Sequence, residues 1–492
     1  MSIPKNESGI TFVETMESIL TNEHTFTLAD AAPAPEPSRG GRPREYPTFL
    51  VLLIDAMANG DLGFQSVRKV MDTLSTDLIW NHARHVLEAA YPNDPSRRLP
   101  AKPPSRTWFH KRLKAGVLDS LNDLRAALTD TGIVTARELG LLDPDGPGSY
   151  ANPHRSRVIV ADGKVIETLN KVTPGDTRKV EIEDPNTGEV SIEERIRRCD
   201  PDVKFYVDGT GANVLGHKFW HAEVRHEDFN HSRVVLAVDH VPGEKDEQNS
   251  ENHIAVRNLL ALSTRVPGAT AVALDDCLGG EEKAELQRRT GWIVSSPVTA
   301  KRVDKSTGER VEKTAKVELR KVTFEDGHTE EIELWANGGW VALEVLTAEG
   351  TSVLANLRWL DTFNRKNDDG TYRCYVKYGI TSGDGQVIAT VTTRTDTNKN
   401  DRVGARNRHL NRSELIRQLP PGHPTYKRLK GYRASDSEGI NSGIDAGLYL
   451  QRARSLGAGP QLFNLLTRAH ALNSIALRRH RLRYAEPLPL AA

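Results

Sequence analysis

Three acidic residues in this chain stand where a metal ion could be held. Asp208 ends the strand-like run Phe205-Tyr206-Val207, Asp275 ends the nearly all-apolar run Ala271-Val272-Ala273-Leu274, and Glu438 follows Asp436-Ser437 at the opening of a long helical tract. Carboxylates are the hard oxygen ligands that Mg2+ and Mn2+ prefer, whereas histidines and thiols select other metals. Three of them converging from separate elements can hold two such ions. A two-metal pair activates water or a 3'-hydroxyl and stabilises the leaving oxygen in phosphodiester cleavage. Asp276 is the alternative second ligand, and Asp208 can equally open an Asx turn before Gly209.

The elements that would position these acids follow from periodicity. Residues 204–239 read as hairpin-linked strands with a Gly-rich turn, and Val234 to Val238 form an apolar strand running up to Asp239. Asn252 to Leu262 and Glu281 to Arg289 carry helical spacing on either side of the apolar run before Asp275, and Trp292-Ile293-Val294 reads as another strand. Strand, helix, strand, helix is α/β organisation, with acids at strand ends. Upstream, Arg157 to Ile166 reads as strand, Asp162-Gly163 turn and strand, a hairpin inside a small β linker element spanning 151–200. Residues 201–299 form the first half of an α/β core. Over 300–396 the alternation of Val317 to Phe324, Ile332 to Trp335, Val341 to Val345, Tyr372 to Val376 and Val387 to Val391 marks a β-rich insertion, in which Trp335 and Trp340 could face a substrate. Residues 397–485 supply a basic tract and the second half of the core, ending in a helix with an apolar Leu462, Leu465, Leu466, Ala469 and Leu472 stripe.

Ahead of all this, residues 1–47 form a Pro-rich, basic tail and 48–150 a mainly helical region. The 492 residues carry no net formal charge, so any nucleic-acid surface must be local. Candidate phosphate contacts are Arg42 and Arg44 in the tail, Arg106, Lys111 and Arg112 on a helix capped by Ser105, and a tract containing Arg402, Arg406, Arg408, Arg412, Lys427, Arg428, Lys430 and Arg433. Arg478-Arg479-His480-Arg481 offers a further basic surface. Cys199, Cys277 and Cys374 are too few and too scattered for a disulfide framework or a zinc cluster, which fits a reducing compartment. The longest apolar run, Phe49 to Ile54, is far short of a membrane span, and Met1 to Gly9 lacks a signal-peptide pattern. These features lead to the expectation of a cytoplasmic protein with no membrane contact.

Taken together, Val207-Asp208-Gly209-Thr210-Gly211, Val272 to Gly280 with Gly291-Trp292, the β-rich block, and Tyr432 to Asn441 resemble the bacterial insertion-sequence transposases of the aspartate-aspartate-glutamate type. The resemblance implies an RNase H-like mixed sheet with flanking helices, interrupted by a β-rich insertion and preceded by a helical DNA-binding region. It implies that Asp208, Asp275 and Glu438 bind Mg2+ or Mn2+, and that the chain cuts and joins double-stranded DNA at element ends and target sites as a homodimer. Relatives often place a tyrosine and an arginine seven and four residues before the glutamate and a lysine seven after it; here those positions hold Gly431, Ala434 and Asp445. A non-cutting DNA-binding protein derived from a transposase, or a metal-dependent nuclease, are the alternatives.

Overall fold

The structure, a computed structural model, describes residues 9–33, 46–60, 66–173, 175–183, 190–200, 202–207, 213–227, 229–243, 249–275, 277–296, 301–397, 412–448 and 450–484. Seven helices come first: α1 (Phe12–Leu20), α2 (His24–Asp30), α3 (Phe49–Asn59), α4 (Val67–Leu74), α5 (Asp77–Ala90), α6 (Arg106–Arg112) and α7 (Leu121–Glu138). Their starts follow the capping chemistry of the sequence. Thr11, Ser66 and Ser105 each accept a hydrogen bond from the backbone three residues on, at Glu14, Lys69 and Trp108. Every residue of α3 is buried, so this helix is core on all sides rather than one apolar face.

The strands β1 (Val158–Glu167), β4 (Lys204–Val207), β5 (Asn213–Arg225), β6 (Arg233–Val241), β7 (Ala271–Leu274) and β8 (Ile293–Ser295) make one mixed sheet; β2 (Thr177–Glu183) and β3 (Val190–Ile196) form a separate hairpin between β1 and β4. Its order is β4-β5-β1-β7-β8, with β6 also paired to β5. β1 is antiparallel to β5 and parallel to β7, and β7 is parallel to β8. Contrary to the sequence expectation, Asp162-Gly163 makes no turn. β1 runs straight through it, because continuous pairing with β5 from Val160 to Glu167 outweighs the local turn preference.

The helices α8 (Glu251–Ser263) and α9 (Gly280–Thr290) cover one face of this sheet, where Ile159, Ala161, Val272 and Leu274 join Leu259, Leu262 and Leu286. Beyond β8, β9 (Lys301–Val303) pairs with β10 (Arg310–Glu312). The strands β11 (Thr314–Thr323), β12 (Thr329–Asn337), β13 (Trp340–Leu346) and β14 (Ser352–Asn356) form a four-stranded antiparallel sheet, and β15 (Arg358–Lys366), β16 (Tyr372–Thr381) and β17 (Val387–Arg394) a three-stranded one. The two share a core containing Val317, Leu334, Ala336, Val376, Tyr378 and Val391. Trp340 and Trp359 donate their indole N–H groups to the carbonyls of Pro421 and Gln418, at 3.1 Å each. Those bonds tie the sandwich to the segment entering the next long helix, so Trp340 is a structural contact rather than a substrate platform.

Three helices close the chain: α10 (Arg412–Leu415), α11 (Pro424–Ala446) and α12 (Ala458–Tyr484). α11 starts well before Asp436, with Pro424 in its first turn and the His423 side chain capping Thr425. Glu438 therefore lies in the middle of a helix, and half of the expected basic tract is that helix's first half. α12 is buried along most of its length between β6 and the N-terminal helices, with Phe463, Leu466, Ile475 and Leu477 inside. Each such side chain contributes roughly 1.5–3 kcal/mol of burial free energy. Among the described residues, no helix is long and apolar enough to cross a membrane.

Candidate functional site

The register of β1 against β7 builds the site. Val158, Ile159, Val160 and Ala161 lie beside Ala271, Val272, Ala273 and Leu274, so the same register carried one step further sets Asp162 of β1 beside Asp275, the residue that follows β7. Alternation puts them on the face that also carries Val158, Val160, Ala271 and Ala273. That face packs on Leu429 and Tyr432 of α11. The two acids sit in different surroundings: the side chain of Asp162 is 8% exposed and that of Asp275 is 48% exposed.

Arg433 of α11 stands between them, its Nη2 2.9 Å from Asp275 Oδ2 and 3.6 Å from Asp162 Oδ1. One turn pair further along the helix, Asn441 donates from Nδ2 to Asp162 Oδ2 at 3.3 Å. His221, directly opposite Asp162 on β5, lies 3.4 Å from Asn441 Oδ1 through Nε2. Burial lowers the His221 pKa, although the Asp162 charge pulls the other way. Lys164, two residues along β1, pairs with Asp445 at 2.8 Å.

From the opposite face, Glu251 approaches the backbone at Gly163. A Cβ there would come within 1.8 Å of Glu251 Oε1, so glycine at this mid-strand position makes room for a carboxylate. Burial raises the Glu251 pKa, with Lys218, 2.7 Å away, opposing that shift and Asp162 and Asp275 adding to it.

α11 is held by a second ionic group. Asp436 is buried and receives Arg155, Arg225 at 3.3 Å and Arg233 at 3.8 Å, while Arg233 also meets Glu223 at 2.9 Å. Burial pushes the Glu223 carboxyl up to about 8.

Of the three expected acids, Asp275 occupies the site. Asp208 lies outside the described residues, as does Asp276. Its neighbour Val207 pairs with Asn213, eight residues along β5 from the His221 that faces Asp162. At about 3.3 Å per residue, that end of β4 is on the order of 26 Å from the acid pair. Glu438 is exposed on α11, whose Arg433 and Asn441 are the residues that touch Asp162. Asp162 was hidden by its Asp-Gly context. The signal was there nonetheless: Val158-Ile159-Val160-Ala161-Asp162 repeats the pattern of an apolar four-residue run ended by aspartate that marked Asp275.

The proposed phosphate contacts separate into several groups. Arg42, Arg44, Arg402, Arg406 and Arg408 lie outside the described residues. Arg112, which is half-buried, donates to the Thr48 hydroxyl at 2.9 Å. Arg412 is likewise buried, bonded to Glu318 and to the Val317 carbonyl, and so fastens α10 to β11. Arg433 serves the acid pair, and Arg428 donates to Asn152. Arg478, Arg479 and Arg481 are paired with Glu17, Glu14 and Glu138, so the expected basic end of α12 is neutralised. Arg106 and Lys111 remain exposed and, with Arg68, His110 and Lys114, line an open groove between α4 and α6; Lys427 and Lys430 are exposed on α11.

Asp162 and Asp275 supply hard oxygen donors suited to Mg2+ or Mn2+, and a guanidinium already stands in the cation position between them. Among the described residues, no three His, Cys, Asp or Glu side chains gather closely enough to hold a metal by themselves. No protein-family model matches the chain and no curated protein matches it, so its function has to be argued from this geometry.

Proposed function

We propose that the chain is a DNA transposase in which Asp162 and Asp275 are the paired acids of a metal-dependent phosphodiester site and Glu438 is the third. The observation that carries this reading is that Asp162 and Asp275, each following a matched position of the parallel pair β1 and β7, meet at the guanidinium of Arg433. A sheet in which β4, β6 and β1 are antiparallel to β5 and β7 and β8 continue parallel to β1, with a β sandwich between β8 and the helix that covers the acids, supports an RNase H-like core with a β-rich insertion.

A divalent ion bound at the pair would lower the pKa of an attacking water or hydroxyl and stabilise the leaving oxygen. The protein's own part is orientation. Asn441 fixes one oxygen of Asp162, the Gly163 backbone N–H fixes the other at 2.9 Å, and the more open Asp275 faces the side from which a phosphate can arrive. Double-stranded DNA is the substrate in this reading, held by exposed cations of the α4–α6 groove and α11, with two copies of the chain acting on two element ends.

The exposed Glu438 and the arginine between the acids favour a second reading, a DNA-binding protein that no longer cuts. Incubating the purified chain with linear duplex DNA carrying its own flanking sequence, with Mg2+ or with EDTA, separates the two. Nicks that require Mg2+ are the expected result. Tight binding without cutting would establish the second reading.

A further inference from the structure

Resting on the acid-pair reading above, we propose that Arg433 is an internal counter-ion of Asp162 and Asp275, displaced when a nucleic-acid phosphate takes its guanidinium, so that divalent metal and duplex DNA bind cooperatively. Two carboxylates that follow matched positions of neighbouring strands, whose backbones run about 4.8 Å apart, repel each other unless a cation lies between them. In the free protein that cation is Arg433, reaching Asp275 at 2.9 Å and Asp162 at 3.6 Å. A divalent ion would have to take the same place, and both cations cannot hold it.

The contacts of Arg433 also make it removable. Its side chain is 26% exposed and that of Asp275 48%, so the outer half of the bridge is solvated and weak. Its Nε is buried with no hydrogen-bond partner in the described structure. Guanidinium matches phosphate in a two-pronged fork, which the single-nitrogen bridge to the two acids does not use. The helix itself is fixed, since Asp436 three residues on is clamped by Arg155, Arg225 and Arg233 and Leu429 and Tyr432 pack on the sheet. Movement is therefore confined to the Arg433 side chain. Lys427 and Lys430, exposed on the preceding turns of α11, give an incoming phosphate backbone a path towards it.

Coupling of this kind is reciprocal: whatever factor DNA adds to metal affinity, metal adds to DNA affinity. The test is Mn2+ binding by the full-length chain, read from the paramagnetic resonance of the free ion, with and without a short duplex. Arg433→Gln and Arg433→Ala, each checked for folding by circular dichroism, are expected to bind Mn2+ about tenfold more tightly than wild type without DNA. The duplex is expected to tighten Mn2+ binding in wild type and to leave the two variants unchanged. If both variants bind Mn2+ no better than wild type, while Asp162→Asn and Asp275→Asn abolish binding, the counter-ion role is overturned and the acid pair stands. If no Mn2+ binding in any variant depends on Asp162 and Asp275, the acid-pair reading itself falls, and this inference with it.

Discussion

Asp162 and Asp275 share one chemistry but are held in different ways. Asp162 is nearly buried and fixed by Asn441 and the backbone of Gly163, whereas Asp275 sits half in solvent against a single arginine. Asp275→Asn should therefore change stability by less than about 1 kcal/mol in a denaturant titration, the range of exposed ion pairs. Glu223 is the opposite case, because burial raises its carboxyl to about 8 even with Arg233 2.9 Å away. A carboxyl raised by folding stabilises the fold fully below its unfolded value of 4.5 and loses that contribution as pH rises through about 8. Wild-type melting temperature should accordingly fall more than that of Glu223→Gln between about pH 5 and pH 9. Equal slopes for the two proteins would show that Glu223 is ionised throughout. At this scale, Asp275 was legible because a short apolar run ends on it. Asp162 was masked by the glycine after it, which lies within the strand beside the Glu251 carboxylate and makes no turn.

The elements around the site depend on a few close fits between backbones. β6 bulges against β5, where Ala222 faces Ala237 but Glu223 faces Val235. Asn473 of α12 braces the strand beside the bulge, accepting from the Val235 N–H at 2.7 Å and donating to the Val235 carbonyl at 2.9 Å. Nearby, a Cβ on Gly132 of α7 would come within 2.7 Å of the Val235 carbonyl, so helix, bulge and amide form one unit. Asn473→Ala leaves both backbone groups of Val235 unpartnered in the core and should cost about 3 kcal/mol, measured as a shifted denaturation midpoint. A loss under about 0.5 kcal/mol would mean that the bulge finds other partners. The strands β11, β12, β13, β16 and β17 were readable from alternation and turn glycines, whereas β14 was not read. β1 was not read as one strand, because its continuity comes from β5, which sits far away in sequence. The start of α11 was missed for a related reason: a tract of lysines and arginines was read as a basic surface ahead of the helix, although its Leu429 and Tyr432 already marked the buried side.

Across the whole molecule, α12 joins the parts, lying against β6 on one side and α3 and α1 on the other, which is why the N-terminal helices and the mixed sheet share a core. Overall neutrality conceals a divided surface. Many arginines that look available in the sequence are consumed by internal pairs, while Arg68, Arg106, Lys111 and Lys114 line a groove open to solvent. If that groove carries duplex DNA, Lys111→Ala and Lys114→Ala should each lower the slope of log affinity against log salt by about one, equally for all sequences. An unchanged slope would move the DNA track elsewhere on the surface. The central claim is that the phosphodiester site belongs to β1 and β7. Its most direct test is Mg2+-dependent nicking of the chain's own flanking DNA by Asp162→Asn, Asp275→Asn and Asp208→Asn side by side. Loss of about a thousandfold in the first two, with normal nicking by the third, is the predicted result; nicking that survives Asp162→Asn and vanishes in Asp208→Asn would contradict it.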